Sequence, residues 1–566
     1  MLNDSYLCTL NYMFMSKPQR SLTFPSLFSN TVKKFPHHNA LAFVGETPVT
    51  YREMDEKIYA LIAYLEKLNI RPGDKVAILS TNMPHWGIAY FAITFMGAVV
   101  VPLLPDFHSD EIAKFLTHSE TKLIFVSDNL RYKFKGVEKS IPEDIIVLDD
   151  FSLLHPEKQN LLFDISAKPF RNYSVDEDTF AAIIYTSGTT GKPKGVMLSH
   201  KNICFDAIKS SIIQPINEND RFLSVLPLSH TYENTLGLIL PMISGACTYY
   251  LRKPPTPPVL MPALKLVKPT ILLTVPLIIE KVYRNVVLPK FTRGKVLSSL
   301  YKMPFFRKVL HLIAGKKLKE TFGGHVKFFG IGGAKLDGTV ERFLLEARFP
   351  YAIGYGLTET APLLAGASPF HTKWQSTGPA MEGVELRIMN PDPVTGEGEI
   401  IAKGPNIMLG YYKEPELTRT VLDENGWFRT GDLGIFNKKN FLYIKGRLKN
   451  MIIMQGGENI YPEEIETVIN NFKYVGDSLV VEDKGKLVAL VYFNKEEIEK
   501  KYQHLKTEIS AYVDKKIEEL QVELKEYVNK RVNKFSKLQV VIAQPDPFQK
   551  TATQKIKRFL YSNVKK

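Results

Sequence analysis

The sequence predicts an α/β protein in which largely parallel sheets are covered by helices. Helical and strand patterns alternate along the first part of the chain, and 566 residues exceed the roughly 250–300 that one compact core holds. From about residue 377 the pattern changes to short strands separated by turns such as Thr395-Gly-Glu-Gly398. We therefore expect several units, with about the last 120 residues as a separate small domain.

The elements of the first part follow from apolar spacing. Helical spacing predicts a helix over Glu53–Leu68, and an Arg-Pro-Gly-Asp turn then leads into a strand over Lys75–Leu79. The uncharged stretch Trp86–Val101 has 16 residues, fewer than the roughly 20 of a membrane-spanning helix, so we interpret it as a buried helix running into a strand. The same patterns predict a helix over Asp110–Ser119, strands over Leu123–Ser127, Phe180–Tyr185, Thr270–Thr274 and Val326–Ile331, and one or two amphipathic helices between Ile498 and Phe535.

Composition narrows the classes of function. The 73 Lys and Arg residues exceed the 59 Asp and Glu residues, and the resulting charge of +14 favours an anionic partner. Nucleic-acid binding has no motif behind it. Three cysteines, Cys8, Cys204 and Cys247, are too few and too scattered for a disulfide framework or a zinc site. The start carries an acid, Asp4, where a secretory signal has basic residues, so we expect a cytoplasmic location.

The strongest chemical signal is the string Tyr185-Thr-Ser-Gly-Thr-Thr-Gly-Lys-Pro-Lys-Gly195, which directly follows an apolar strand. Small residues and glycines make a loop whose backbone amides can surround phosphate oxygens, while the hydroxyl groups and the two lysines add donors and charge. The string is not a Walker loop, because Thr186 stands where that motif has glycine and Pro193 where it has Ser or Thr. We therefore predict a phosphate-binding loop of another kind.

This string resembles the phosphate loop of the adenylate-forming superfamily, which includes acyl-CoA synthetases, luciferases and the adenylation domains of peptide synthetases. Further signatures of that superfamily follow in order, namely Gly332-Gly-Ala334, Tyr355-Gly-Leu-Thr-Glu-Thr360, Trp427-Phe-Arg-Thr-Gly-Asp432, Gly446-Arg-Leu-Lys449, Gly456-Gly-Glu-Asn459 and Gln554-Lys-Ile556. The resemblance covers roughly residues 22–566.

The resemblance implies a specific domain organisation. An N-terminal adenylation domain would span residues 1–446, with two β-α-β sheets and a small β-barrel part at about 377–446. A mobile α+β lid would span residues 447–566 and rotate about a hinge near Lys449 between two half-reactions.

The resemblance also implies a role for each matching residue. ATP and AMP would be bound by Thr186, Ser187, Gly188, Thr189, Thr190, Gly191, Lys192, Lys194, Gly332, Gly333, Ala334, Tyr355, Gly356, Asp432 and Arg447. Glu359 would hold Mg²⁺, and Thr358 would donate to the α-phosphate. His230 would lie at the acyl pocket. The channel for the thiol would be lined by Gly456, Gly457 and Glu458.

Lys555 matches the superfamily lysine that bridges the substrate carboxylate, the ribose and the α-phosphate. Its ammonium would offset the charge that builds on the pentavalent phosphorus. Composition alone would make this segment a solvated basic tail, since Lys550, Lys557 and Arg558 lie close by. Gln554 also stands where many members have glycine. We choose Lys555 as the catalytic lysine because it directly precedes Ile556, as in the superfamily pattern.

The implied activity is ATP-dependent formation of an acyl adenylate followed by transfer of the acyl group to a thiol. Amino-acid-activating relatives usually carry an Asp near His230, and none occurs between Leu226 and Gly237, so an acid without an α-amino group is favoured. The motifs from Lys268 to Lys319 resemble those of the long-chain members, which predicts a long- or medium-chain fatty acid. Coenzyme A is the favoured acceptor and acyl carrier protein the alternative. A silent acyl- or nucleotide-binding protein is the alternative of another class.

A basic segment suggests one further partner. Between Lys290 and Glu320 the chain has nine Lys and Arg residues and a single acid, interspersed with apolar residues such as Phe305 and Ile313. One hypothesis is an amphipathic element that contacts an anionic membrane, which would place the protein peripherally at the inner face of that membrane. The alternative is a solvated helix face beside the acyl tunnel. The sequence leaves this choice, the chain-length preference and the oligomeric state open.

Overall fold

A computed structural model describes residues 21–155, 157–158, 161–186, 194–454, 459–502, 509–551 and 555–561. Two eight-stranded sheets form the larger part of the chain, and a four-stranded, a two-stranded and a three-stranded sheet follow toward the C-terminus. The predicted α/β fold class, with two large sheets and an α+β C-terminal part, is confirmed.

The first large sheet, sheet A, carries most of the residues predicted to bind nucleotide. Its strands in spatial order are Leu363–Gly366, Tyr351–Gly356, Phe328–Ile331, Ile271–Thr274, Arg221–Ser224, Cys247–Tyr250, Asn39–Phe43 and Val49–Thr50. The inner strands pair in parallel and the two outermost strands pair antiparallel. Parallel strands end at one common edge, where open α/β sheets bind their ligands. The loops carrying His230, Gly332 and Glu359 therefore begin at the same edge.

The second large sheet, sheet B, positions the phosphate loop. Its strands in spatial order are Gly410–Tyr411, Lys194–Ser199, Phe180–Thr186, Val99–Leu103, Lys75–Leu79, Thr121–Val126, Asp144–Val147 and Leu153–Leu154. The strands Phe180–Thr186 and Lys194–Ser199 form an antiparallel hairpin in which Thr186 pairs with Lys194. The phosphate loop is thus the connection of a hairpin in sheet B.

A buried helix joins the two large sheets. Helix Pro84–Phe95 contains Trp86 and Phe91, both without exposed surface, and one continuous core includes this helix together with strand residues of both sheets. Gly87 lets this helix pack closely against sheet A, since a Cβ there would lie 3.3 Å from the Leu41 side chain of that sheet. The strand Val99–Leu103 of sheet B follows, which confirms the interpretation of the uncharged stretch.

The predicted helix over Glu53–Leu68 is present as Tyr51–Lys67, displaced by a capping box that the apolar spacing does not reveal. The Glu53 amide donates to Thr50 Oγ1, and the Glu53 carboxylate accepts from the Thr50 amide at 2.8 Å, so the helix begins directly after Thr50. The other helices of this part are Phe24–Lys34, Ser109–Ser119, His200–Ile213, Thr231–Glu233, Leu240–Ser244, Pro257–Val267, Pro276–Val282, Leu288–Phe291, Lys295–Lys302, Pro304–Thr321, Gly338–Glu346 and Pro415–Val421.

The part predicted as barrel-like contains an antiparallel four-stranded sheet. Its strands are Glu385–Met389, Gly398–Lys403, Phe428–Phe436 and Leu442–Arg447, and in the described residues the first and the last are not paired with each other. Asp432 pairs with Arg447 across the last two strands, so the register of this sheet places both residues side by side.

The C-terminal residues build a core of their own. Strands Val475–Asp483, Lys486–Phe493 and Val540–Gln544 form one sheet, and Ile452–Ile453 pairs with Asn459–Ile460. Helices Pro462–Ile469, Lys495–Tyr502 and Ile509–Asn529 accompany them, the last two matching the predicted amphipathic helices. Two apolar clusters lie among these elements, one with Ile465 and Leu520 and a smaller one with Leu490. The domain boundary at 446/447 and the hinge at Lys449 stay predictions.

Among the described residues, no helix combines the length and the apolar character that crossing a membrane requires.

Candidate active site

A buried carboxylate forms the base of the candidate nucleotide pocket. Asp432 Oδ2 accepts a hydrogen bond from the Tyr355 hydroxyl at 2.9 Å, and Asp432 Oδ1 lies 3.1 Å from Arg447 Nε. Burial raises the pKa of Asp432, and the charge of Arg447 opposes that shift. Arg447 is partly exposed, so this group of three predicted residues is open to solvent on one side. We call this group, together with Glu359 and His230, the cleft.

Glu359 lies in a short turn, Thr358–Thr360, directly after the strand Tyr351–Gly356. The Tyr411 hydroxyl donates to Glu359 Oε1 at 2.9 Å, and the Glu359 carbonyl accepts from the Met408 amide at 2.9 Å. Tyr411 therefore orients the carboxylate and Met408 fixes the backbone, while Oε2 has no hydrogen-bond partner among the described residues. One oriented carboxylate with a free oxygen suits Mg²⁺, which commonly takes one or two protein carboxylates together with phosphate oxygens.

Close backbone packing explains two of the predicted glycines. A Cβ at Gly356 would lie 1.8 Å from the Pro362 carbonyl oxygen, so a side chain there would displace the turn that carries Glu359. A Cβ at Gly332 would lie 3.1 Å from the Tyr232 ring, and the next residue, Gly333, has a φ of +83°. Ala334 follows on the exposed side of this bend.

Part of the predicted phosphate loop lies outside the described residues, namely Ser187, Gly188, Thr189, Thr190, Gly191 and Lys192. Its two ends are described, since Thr186 and Lys194 pair across the hairpin of sheet B. Lys194 Nζ lies 5.6 Å from the ring centroid of Tyr411, the residue that also holds Glu359. The end of the phosphate loop and the candidate Mg²⁺ ligand therefore meet at one tyrosine. The predicted thiol-channel residues Gly456, Gly457 and Glu458 also lie outside the described residues.

Lys555 reaches this cleft from the C-terminal part. Burial of its amine lowers the pKa of Lys555, the charge of Arg447 lowers it further, and the carboxylates of Asp432 and Glu359 oppose the shift. Its side chain keeps an exposed surface, and the charges of Arg447, Asp432 and Glu359 all act on its amine. A turn supports it, because the Lys555 amide donates to Thr551 Oγ1 at 3.2 Å.

The positive charge of Lys555 also acts on His230. Burial, followed by the positive charge of Lys555, lowers the pKa of His230 to about 4, so its imidazole is neutral at pH 7. Its Nδ1 accepts from the Tyr232 amide at 3.3 Å, which fixes the ring at the start of the short helix Thr231–Glu233. Lys449, the predicted hinge residue, lies in the turn Leu448–Asn450 with an exposed surface, and partial burial of its amine lowers its pKa.

Sequence reasoning missed two residues that shape this site, Tyr411 and Glu233. Tyr411 could not be found because its partner Glu359 is far away along the chain. Glu233 lies three positions after His230, but its role depends on a buried contact with Ser224 Oγ at 2.5 Å. Ser224 Oγ in turn accepts from Asn82 Nδ2 at 2.8 Å. This chain of contacts fixes the loop that carries His230.

Glu233 makes stability depend on pH. Burial raises the pKa of Glu233 from its ordinary value of 4.5 to about 8, so the folded protein holds a proton that the unfolded chain releases between these values. The contribution of this protonated carboxyl group to the free energy of unfolding is complete below pH 4.5. It is lost as pH rises from there through 8, and the free energy of unfolding falls by up to about 1.4 kcal/mol per pH unit. We expect urea midpoints of the wild type to fall between pH 6 and 8, and those of Glu233→Gln to lack this component. Parallel pH profiles of both proteins would contradict the assignment.

Comparisons with known proteins identify the family to which this site belongs. The family model of AMP-binding enzymes matches residues 28–412. A chloroplast long-chain-fatty-acid–[acyl-carrier-protein] ligase of Arabidopsis thaliana is 27% identical, over 84% of this chain and 77% of its own length. The long-chain-fatty-acid–CoA ligase heimdall of Drosophila melanogaster is 27% identical, over 85% of this chain and 77% of its own length.

The fold has a close counterpart among solved structures. The o-succinylbenzoate CoA synthetase of Bacillus subtilis, solved with its acyl-adenylate intermediate, superposes with a TM-score of 0.74 at 24% identity, covering 95% of this chain and 98% of that one. The match of the family model extends over most of the chain, from the first helix through the strand that carries Tyr411. The chain is therefore a member of the family of AMP-binding enzymes.

Proposed function

We propose that the protein is an acid–thiol ligase that activates a long- or medium-chain fatty acid with ATP and transfers the acyl group to coenzyme A. The observation that supports this proposal is the group around Asp432, which accepts from Tyr355 at 2.9 Å and lies 3.1 Å from Arg447. The charge of Lys555, from the C-terminal part, acts on Asp432 and on His230 of the same site. Cationic, acidic and neutral groups in one site suit a nucleotide and a carboxylic acid. The named relatives include both a CoA ligase and a carrier-protein ligase for long-chain fatty acids.

In the first half-reaction, an oxygen of the fatty-acid carboxylate attacks the α-phosphorus of ATP. The bond between the α-phosphorus and the bridging oxygen breaks, and pyrophosphate leaves with the bonding electrons. The ammonium of Lys555 stabilises the negative charge that builds on the equatorial oxygens. Thr358 donates to one of these oxygens.

The nucleotide is oriented by the group around Asp432. Its carboxylate accepts from the two ribose hydroxyls, for which two acceptor oxygens are suited. Tyr355 holds that carboxylate through a 2.9 Å hydrogen bond and flanks the adenine, while Arg447 reaches the ribose. Gly332, Gly333 and Ala334 approach the nucleotide with their backbone, and the loop from Thr186 to Lys194 binds the phosphates.

Glu359 would hold Mg²⁺ through Oε2, and the ion would neutralise charge on the phosphate oxygens of ATP. Tyr411 fixes the other carboxylate oxygen of Glu359 at 2.9 Å, which restricts the rotation of the side chain.

The loop around His230 favours an acid without an α-amino group. A neutral imidazole at the acyl pocket offers no net charge that would pair with a substrate ammonium. The carboxyl group of Glu233 is buried, hydrogen-bonded to Ser224 and neutral at pH 7, so it does not offer a charge to a substrate amine. This arrangement is compatible with a fatty acid and unfavourable for an amino acid.

In the second half-reaction, the thiol sulfur attacks the carbonyl carbon of the acyl adenylate. The bond from that carbon to the phosphate oxygen breaks, AMP leaves as an anion, and the thiol proton passes to solvent. We propose that the lid (residues 447–566) rotates about Lys449 between the two steps, so that the segment around Gly456, Gly457 and Glu458 lines the path of the thiol.

The acceptor is tested by following thioester formation. Acyl adenylate is formed in the enzyme with Mg²⁺, ATP and a radiolabelled fatty acid, and coenzyme A or phosphopantetheinylated acyl carrier protein is then added. We expect rapid AMP release and acyl-CoA formation with coenzyme A. Release with the carrier protein alone would make the protein an acyl-carrier-protein ligase instead.

We also propose that the surface formed by helices Lys295–Lys302 and Pro304–Thr321, the helical hairpin, binds anionic membrane. Phe305, with 73% of its surface exposed, and Ile313, with 64%, lie on it among other exposed apolar residues, namely Val296, Met303, Phe306, Val309 and Leu312. The lysines on the hairpin, namely Lys295, Lys302, Lys308, Lys316, Lys317 and Lys319, complement anionic headgroups.

The opposite side of this hairpin is anchored to the protein. His311 is buried, with Nδ1 at 2.8 Å from Glu346, and Arg307 forms two hydrogen bonds to the same carboxylate. The Tyr301 hydroxyl lies 2.9 Å from His311 Nε2 and joins the two helices. The polar network thus faces inward and leaves the apolar side chains outside.

Liposome flotation tests this surface. We expect the wild type to float with vesicles containing about one third anionic lipid, and Phe305→Asp/Ile313→Asp to stay in the dense fraction, because each charge opposes insertion. The matched control Leu162→Asp/Val394→Asp changes two exposed apolar residues elsewhere and should float like the wild type. Equal flotation of all three proteins would contradict the proposal.

A further inference from the structure

We propose that Arg284, Asp337 and Asn471 form a clasp that holds the lid in the orientation required for the first half-reaction. The inference rests on the proposed function, because it assigns Arg284 as a positioning residue for Lys555. Arg284 and Asp337 belong to the N-terminal part, whereas Asn471 follows the lid helix Pro462–Ile469. Arg284 lies far from the candidate nucleotide residues along the chain and matches none of their motifs.

The clasp uses both terminal nitrogens of the Arg284 guanidinium. Its Nη1 donates to the Asn470 carbonyl oxygen and its Nη2 to Asn471 Oδ1, both at 2.6 Å. The Asn471 amide nitrogen donates in turn to a carboxylate oxygen of Asp337 and, at 2.9 Å, to the Thr467 carbonyl. One asparagine therefore accepts from an arginine and donates to an aspartate of the other part. Charged partners on both sides make these contacts stronger than neutral hydrogen bonds.

The N-terminal side of the clasp is fixed independently of the lid. The Asp337 amide donates to Glu280 Oε1 at 3.0 Å, and Asp337 Oδ1 caps helix Gly338–Glu346 by accepting from the amides of Thr339 and Val340. Glu280 also lies 3.7 Å from Arg284. Both charged groups are thus held in place for Asn471.

A second set of contacts connects the clasp to Lys555 within the lid. Glu466, on the helix that ends beside Asn471, accepts from the guanidinium of Arg558. Glu463 of the same helix lies 3.8 Å from Arg558, which follows Lys555 by three positions. The helix Pro462–Ile469 therefore contacts the clasp at its end and holds the Lys555 segment on its side.

These contacts respond differently to a rotation of the lid. The contacts of Glu466 with Arg558 lie inside the lid and move with it. The contacts of Arg284 and Asp337 with Asn471 cross between the two parts, and they must break when the lid turns about Lys449. The clasp therefore lowers the free energy of one lid orientation only, which shifts the population toward the state with Lys555 at the cleft. Its loss is expected to slow acyl-adenylate formation and to spare thiol transfer.

The test compares both half-reactions in Arg284→Ala, Asn471→Ala and the double variant. Acid-dependent ATP–pyrophosphate exchange reports the first step, and thioester formation from added acyl adenylate and coenzyme A reports the second. Asp337→Asn serves as a milder variant, because asparagine keeps the helix cap. Lys473→Ala is the matched control, since Lys473 lies two positions after Asn471 and pairs with Glu523 inside the lid. Trypsin cleavage after the exposed Lys449 reports the lid orientation without any substrate.

We expect exchange to fall about tenfold in both single variants and no further in the double variant, while thioester formation and Lys473→Ala stay at the wild-type level. Cleavage after Lys449 should accelerate several-fold in the clasp variants. An equal loss in both half-reactions, unchanged exchange, or unchanged cleavage would each overturn the clasp. If the wild type showed no pyrophosphate exchange with any of the acids tested, the proposed function would fail. The cleavage rates alone would then decide whether the clasp holds the lid.

Discussion

Lys555→Ala is expected to reduce ATP–pyrophosphate exchange by about 10²–10³-fold, because one preorganised charge is removed from the transition state. Thioester formation from added acyl adenylate should change by less than about threefold, since the phosphorus is no longer attacked in that step. The measurement is the initial rate of each half-reaction at saturating ATP. Because burial and Arg447 lower the pKa of Lys555, the wild-type exchange rate should also fall with rising pH before lysine's ordinary pKa of 10.5 is reached.

Lys557→Ala is the matched control for this experiment. Lys557 lies two positions further along the same segment, and its amide donates to the Gln549 carbonyl at 2.9 Å, a contact that the substitution leaves intact. We expect both half-reactions of this variant to stay near the wild-type rates. A similar loss of exchange in both variants would mean that the segment contributes only a basic surface, as its composition alone suggests.

Asp432→Asn is expected to weaken ATP binding by about 10–100-fold, measured as the Kd for ATP in the absence of acid. The substitution removes the charge that accepts from the ribose hydroxyls, and hydrogen bonds to charged groups contribute roughly 1.5–3 kcal/mol each. Arg447, which lies 3.1 Å from Asp432, loses its partner in the same step. Affinity for the fatty acid alone should not change.

The control for Asp432→Asn is Asp392→Asn in an exposed turn before strand Gly398–Lys403. Asp392 Oδ1 accepts from the amides of Val394 and Thr395, and asparagine can form the same bonds. We expect wild-type affinity for ATP in this variant. An unchanged Kd for Asp432→Asn would remove Asp432 from the nucleotide pocket and leave it as a structural partner of Tyr355.

Local pattern was sufficient for much of the fold. Strand Lys75–Leu79 coincides with its prediction, and the buried helix before Val99–Leu103 follows from an uncharged run with a glycine and a proline at its end. Helix Tyr51–Lys67 begins two residues early because a capping box at Thr50 sets its start. Apolar spacing defines which residues face the core but not where the backbone hydrogen bonds begin.

The candidate site was predictable where its chemistry is concentrated in short strings. Tyr355, Glu359 and Asp432 lie in such strings, and strand order then brings them to one cleft. Tyr411 and Arg284 could not be predicted, since each acts on a residue distant in sequence and neither belongs to a recognisable string. Glu233 was within a string, but its altered pKa comes from burial, which depends on the packing of the whole domain.

The central claim is that the cleft forms an acyl adenylate from a fatty acid. The most direct measurement is ATP–pyrophosphate exchange with Mg²⁺ across straight-chain acids from acetate to stearate. We predict exchange that depends on the acid and is greatest with a long- or medium-chain fatty acid. Better exchange with acetate or propionate than with myristate or palmitate would contradict the substrate class. Absence of exchange with every acid, in protein that still binds ATP, would contradict the claim itself and indicate a silent binding protein.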